Sequence, residues 1–477
     1  MIQGKRASCI PQLQSRSPYL FGNGILIGIL DSGIDFYHSD FRNPDGTTRI
    51  AYLWDQTIPE GEPSVFTREE INEALLLPSR EAAYSRIPSR DFSGHGTAVA
   101  GIAAGNGRES EGAQRGVAPE AELIVVKLGN PGTNAFPRTT ELMTGIDFCI
   151  QRALSMLRPI ALNISFGNTY GSHTGSSILE TYIQNVSSVW KNVICIGSGN
   201  EGAAGGHTVM ELGSGEVRET ELAVGEFETG LSIQIWKSYS DEAQITLISP
   251  DGERFTIGDE SFGTIRAQLP DTQILVFAGE PTPYNVFQET YISLLPLSDY
   301  VRSGIWKIRL ETGSVTDGRF QFYLPSESAI GRTSRFLRPV PEGSFTIPST
   351  VRAGITIGAY DSHSDSYAPF SGRGFEELSG TIYNKPDIVA PGVGITTVRA
   401  GGGYGTFTGT SFATPFASGG AALMMEWGIA RGNDPFLYGE KVKAYLRRGA
   451  RPLLGERVYP NERIGWGALC VADSLPV

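Results

Sequence analysis

The chain has 477 residues, of which 40% are apolar and 19% charged, and its net charge is −12. This composition excludes a disordered chain, and the acidic balance without a long basic run excludes a nucleic-acid partner. No apolar run reaches the ~18 residues a spanning helix needs, so no membrane span is expected.

The length suits two or three domains. The start, "MIQGKRASCIPQLQS", lacks the apolar stretch of a secretory signal. The chain is therefore expected to stay inside the cell that makes it, unless upstream sequence has been removed. Residues 25–33, "ILIGILDSG", form a short apolar run closed by turn residues, as in a buried parallel strand. Asp31 ends that run, where backbone amides can orient its carboxylate, although a plain turn cap has the same signature. Asp35 lies past the strand end, in the turn. Residues 41–90 are polar and without clear period, and are expected to form a surface insertion.

Next comes "DFSGHGTAVAGIAAG", with His95 between two glycines and just ahead of a helical run of small residues. The glycines let backbone approach backbone, and the helix start fixes the imidazole. Apolar runs at 122–128, 159–166, 192–199 and 354–360 read as further strands. Residues 139–157 and 176–190 have helical spacing between them. Such alternation predicts an α/β architecture, an open parallel sheet with helices on both faces and reacting groups beyond the strands' carboxyl ends. Asn200 in "CIGSGNEG" follows one such strand. It reads equally as a left-handed turn residue or as a carboxamide donor.

From about 205 to 345 the period becomes two and helical segments vanish, with "PDG", "ETG" and "TDG" turns between the runs. An inserted all-β, jelly-roll-like domain is expected there. The predicted division is 1–204 and 350–477 for the α/β part, with 205–349 inserted. Finally, "GTSFATPFASGG" places Ser411 at the start of a small-residue helix, with Pro415 expected in its first turn. Free N–H groups at a helix N-terminus suit negative charge on a substrate oxygen. An aspartate, a histidine, a serine and an amide side chain together make a hydrolytic set. The histidine takes the serine's proton, and the carboxylate holds the histidine's tautomer.

In chain order, "DSGID", "SGHGTAVAGIAAG", "APEAELIVVKL", "NISFG", "GSGNEG", "KPDIVAPG" and "GTSFATP" resemble segments of the subtilisin-type serine peptidases. The resemblance implies a serine endopeptidase with a subtilisin-like fold. Its triad would be Asp31, His95 and Ser411, with Asn200 and the Ser411 amide as oxyanion hole. It also implies a substrate clamp made by Lys127, Leu128 and Gly129 on one side and Ser165, Phe166 and Gly167 on the other. The first pocket would join that second segment to Gly197, Ser198 and Gly199, and its base would come from sequence just beyond Asn200. The expected partner is a polypeptide substrate, the expected state a monomer, and no cofactor is required. Structural calcium is common in the family, but no segment here spells a site for it.

"FRNPDGTTRIAYLWDQT" and the β-rich insertion further resemble the clostridial Csp germination proteases, a group of subtilases acting in spores on the zymogen of a cortex-degrading hydrolase. A spore-associated location then becomes the alternative to an ordinary intracellular one. The short stretch before Asp31 leaves no room for the usual pro-domain. Either a pro-segment has been removed or the chain folds without one. A non-cleaving sensor of the same fold would be expected to carry a substituted triad, and this chain carries all three residues.

The other motifs read as structural. His38 is expected to pack, and His173, His207 and His363 fall in polar loops without metal-ligand partners. "GGGYG" at 401–405 lacks a phosphate-loop lysine and reads as a bend leading to the Ser411 helix. The "NIS" sequon lies in a strand expected to be buried. Cys149 and Cys195 are expected in the core, and Cys9 and Cys470 show no pattern that would predict a disulfide framework.

Overall fold

A computed structural model describes residues 1–129, 137–258, 263–280, 285–374 and 385–476. Nine strands form the central sheet. Eight follow the order β19 (Ser366–Tyr367), β18 (Ile355–Asp361), β6 (Asn192–Gly197), β5 (Ile160–Ile164), β1 (Leu26–Asp31), β4 (Glu122–Lys127), β2 (Ile50–Asp55) and β3 (Val65–Thr67), and β20 (Ile388–Pro391) also pairs with β18. Strands β18, β6, β5, β1, β4 and β2 run parallel, and the antiparallel pairs β18–β19 and β2–β3 close the two ends. Every residue of β1 is buried, which explains why its letters read as one continuous apolar run.

Alternate residues of β1 serve different layers. Ile27 and Ile29 pack with the helices His95–Ala104 and Thr410–Met425, whereas Leu26 and Leu30 pack with the helices Thr139–Ser155 and Ile178–Val186. The period-two geometry of a strand thus puts the two future site helices on one face.

Residues 207–336 hold two antiparallel sheets facing each other across their own core. The first has the order β12 (Gly263–Gln268), β13 (Thr272–Ala278), β14 (Phe287–Pro296), β9 (Leu231–Ser238), β16 (Arg319–Tyr323) and β7 (His207–Glu211). The second has the order β11 (Arg254–Ile257), β10 (Ala243–Ile248), β15 (Gly304–Thr312), β8 (Val217–Val224) and β17 (Arg335–Phe336). Trp306, Phe320, Phe322 and Phe336 fill the space between them, so the insertion carries a separate hydrophobic centre.

Four expectations need correction. Residues 41–90 are not a surface excursion, because β2 enters the central sheet beside β4 and buries Ile50 and Leu53. Its Tyr52 and Trp54 pack partly buried against Phe148, and the short apolar run they belong to is flanked by Arg49 and Asp55 in a polar stretch. Pro415 lies in the second turn of its helix, which begins at Thr410. His173 and His207 are buried rather than set in polar loops, and His207 opens β7. Both rings stack on Tyr323, with centroids 3.9 and 4.5 Å away. Cys9 and Cys470 form a disulfide across 461 residues, a pairing that sequence spacing does not reveal. Among the described residues, no helix is long and apolar enough to cross a membrane.

Candidate active site

The carboxyl ends of β1, β4, β5 and β6 open on one cleft of about 470 Å³. Asp31, the last residue of β1, is 3% exposed, and its Oδ1 accepts the Ser32 N–H at 2.7 Å. The same oxygen accepts a hydrogen bond from His95 Nδ1 at 2.6 Å. This contact holds the proton on Nδ1 and leaves Nε2 as the base. Burial alone would lower the His95 pKa, but the Asp31 charge and hydrogen bond, with the more distant Asp91, raise it above the ordinary value.

The glycines beside His95 have structural causes. Gly94 adopts a left-handed φ of 74°, and a Cβ on Gly96 would stand 2.2 Å from the Gly33 carbonyl oxygen. Asp91 ties this corner together. It accepts Ser32 Oγ and the Gly94 N–H on one oxygen, and the Thr97 N–H and hydroxyl on the other. Asp35 has no such role. Its carboxylate is occupied by Arg80, by Tyr84 Oη at 2.8 Å and by the Gly401 N–H at 2.9 Å.

Ser411 is the second residue of its helix, and the hydroxyl donates to the Ser165 carbonyl at 3.3 Å rather than to His95. A turn about its side chain must therefore precede attack. Pro415 has no N–H to give the Ser411 carbonyl four residues back, and Ser165 Oγ donates to that carbonyl at 3.0 Å instead. The proline thus frees an acceptor that docks the serine helix on the edge segment. Asn200 Oδ1 accepts both the Thr410 N–H at 2.9 Å and the Thr410 hydroxyl at 3.1 Å. Its Nδ2 hydrogens remain for an incoming oxygen.

The remaining predicted residues divide. Leu128, Ser165, Phe166, Gly167, Gly197 and Gly199 line the cleft. Ser198 does not, since it is fully buried and its hydroxyl meets Ser371 Oγ at 3.3 Å. The segment Lys127 to Gly129, expected as one side of the clamp, reaches the cleft through Leu128. Lys127 Nζ pairs with Asp55 at 3.1 Å, the Leu128 N–H goes to Asp31 O, and the Gly129 N–H goes to Gln56 Oε1. Those two amides are engaged within the protein, so pairing with a substrate backbone there would fall to the carbonyls. The following segment, 130–136, lies outside the described residues.

Among the cleft residues that sequence reasoning did not name are Glu201, Ser326, Ser328 and Thr346. Adjacency to Asn200 could have flagged Glu201. Nothing in the letters points to Ser326 or Ser328, which arrive from the connection after β16. Metal-ligand groupings give little: Cys9, Cys470 and Asp473 converge, but both thiols are spent in the disulfide.

A family model described as Subtilase family matches residues 22–273 and 339–467. The match leaves out 274–338 in the insertion. The solved structure of the Clostridium perfringens CspB protease superposes with a TM-score of 0.91 at 36% identity, covering 99% of this chain and 97% of that one. Sphericase shares the fold with a TM-score of 0.51 at 16% identity. The minor extracellular protease Vpr of Bacillus subtilis (strain 168) is 22% identical over 98% of this chain and 54% of its own length. The PII-type proteinase of Lactococcus lactis subsp. cremoris is 24% identical over 87% of this chain and 23% of its own. The chain thus spans about half, or less, of the curated relatives it matches.

Proposed function

The chain belongs to the subtilase family of serine proteases, and from that premise we propose that it cleaves extended polypeptides through an acyl-enzyme formed on Ser411. One observation carries the reading: His95 donates to buried Asp31 at 2.6 Å inside the cleft that also holds Ser411 and Asn200. Ser411 Oγ attacks the scissile carbonyl while His95 Nε2 takes its proton and passes it to the leaving amine. Asp31 keeps the tautomer and stabilises the imidazolium. Asn200 Nδ2 and the Ser411 N–H receive the oxyanion. Water then repeats the sequence and releases the acid. The chain's own side chains, the Ser411 amide and water suffice for this chemistry.

Likeness to the CspB protease, together with the insertion the two share along nearly their whole lengths, supports a narrower reading. In that reading the substrate is a protein zymogen processed during spore germination, and the protease works as a monomer. A fluorophosphonate probe is expected to label the wild type and not Ser411→Ala. Labelling that survives the substitution would show that another residue is the nucleophile.

A further inference from the structure

Asn163, the asparagine of the "NIS" sequon, is the single polar side chain of β5. It is fully buried, so no glycan can reach it. A buried carboxamide is costly unless its oxygen and its nitrogen both find partners. Opposite it on β1 and β6 stand Ile29 and Cys195, which offer no strong donor or acceptor. Its partners lie instead in the layer of the serine helix, the side to which strand alternation turns it together with Ala161.

Asn163 Nδ2 donates to Ser165 Oγ at 2.8 Å, and Ser165 Oγ donates to Ser411 O at 3.0 Å. At the other end of the amide, Ser418 Oγ donates to Asn163 Oδ1 at 3.1 Å. Pro415 dictates the direction of this chain of hydrogen bonds. Its missing N–H leaves the Ser411 carbonyl in need of a donor, and the Ser165 proton is spent there. Ser165 Oγ must then accept, so the end of Asn163 that faces it is the nitrogen. The oxygen end faces Ser418, which has a proton to give. Ser418 also has the Pro415 carbonyl within 3.4 Å, but its shorter bond goes to Asn163.

Ser411 is consequently held on both flanks. Asn200 takes the N–H and the hydroxyl of Thr410 before it, and Ser165 takes its carbonyl after it. The Ser411 N–H and the bond carrying its hydroxyl lie between these two ties. We infer, resting on the peptidase reading above, that Asn163 and Ser418 are positioning residues for the nucleophile, acting through Ser165 on the carbonyl side of Ser411. Both are fully buried and neither lines the cleft, so neither touches substrate. Their loss should act on the transition state and leave substrate binding alone.

The test uses the intact chain and whichever acetyl-Ala-Ala-Ala-X p-nitroanilide, with X = Ala, Leu, Phe, Arg or Glu, it cleaves fastest. Ser418→Ala and Asn163→Ala should each lower kcat about 3–10-fold with KM unchanged, the effect of one neutral hydrogen bond. In Asn163→Ala the Ser418 hydroxyl falls back on the Pro415 carbonyl, so that variant leaves it an acceptor. The double variant should lose no more than the larger single loss, because a chain cut once is already cut. Wild-type kcat in either single variant overturns the inference. So does a loss confined to KM, or a double variant that loses the product of the two single losses.

Amide hydrogen exchange in a Ser411→Ala background separates the two readings, because it needs no catalysis. Adding Asn163→Ala or Ser418→Ala there should speed exchange over residues 409–418 by a similar factor. A wild type that cleaves none of the anilides and takes no fluorophosphonate, while that exchange difference persists, would sink the peptidase reading and leave the positioning role standing. Unchanged exchange in both variants sinks the positioning role, whatever the chain cleaves.

Discussion

The catalytic cleft and the junction with the inserted sandwich both bury histidines, in opposite electrostatic settings. His95 has Asp31 at 2.6 Å and Asp91 nearby, and its pKa is raised despite burial. At the junction, burial lowers His173 to about 4 and His207 to about 3, and their hydrogen bonds to backbone carbonyls only partly offset this. A carboxylate partner prepares an imidazole to receive a proton. An aromatic stack on Tyr323 without an acid holds it neutral. The same residue type is thus the proposed reagent in one place and packing in the other.

The hardest blow to this contrast would be catalysis without the reagent set. Ser411→Ala or His95→Ala should each cost about 10⁶ in turnover, the subtilisin value, read as hydrolysis of a peptide anilide. Asn200→Ala should cost about 10²–10³ in kcat with little change in KM, again by the subtilisin precedent. At the junction the sign runs the other way. His173 and His207 have folded pKa values below their unfolded value, so the stability they permit is present above about pH 6.5 and is lost as pH falls towards 4. Urea unfolding at pH 7, 5 and 4 should show a drop, and His173→Phe should flatten it. An unchanged slope in that variant would remove the histidine from the account. The smallest effect concerns the cleft. Activity requires neutral His95, so kcat/KM should fall as pH drops through a value above the usual histidine pKa. Asp91→Asn should move that inflection down by a fraction of a pH unit.

Legibility followed sequence distance. Asp31 closes a strand, His95 and Ser411 open helices and Asn200 lies in the turn just after β6, each inside one contiguous segment, and the glycines beside His95 announce the tight approach to Gly33. Strand β2 hid because its short apolar run, Ile50 to Trp54, lies inside a long polar stretch, and the helix residue Phe148 on which Tyr52 and Trp54 pack is distant in sequence. The docking role of Pro415 hid for another reason: a missing N–H is visible in the letters, but the hydroxyl of Ser165 that replaces it is not.

By itself, the order of residues determined the α/β alternation and the inserted all-β stretch and pointed to the proposed reacting side chains, because strand period, helix period and turn chemistry are written locally. Tertiary structure alone decided that Glu201 meets Ser326 and the Glu327 amide, that Thr346 stands between two glycine walls, and that Tyr323 receives two histidines. Those contacts join segments more than a hundred residues apart. The Glu201 contacts arise where the inserted sandwich meets the α/β part, whereas His207 and Tyr323 face each other across paired strands of the sandwich, and no local pattern encodes either pairing.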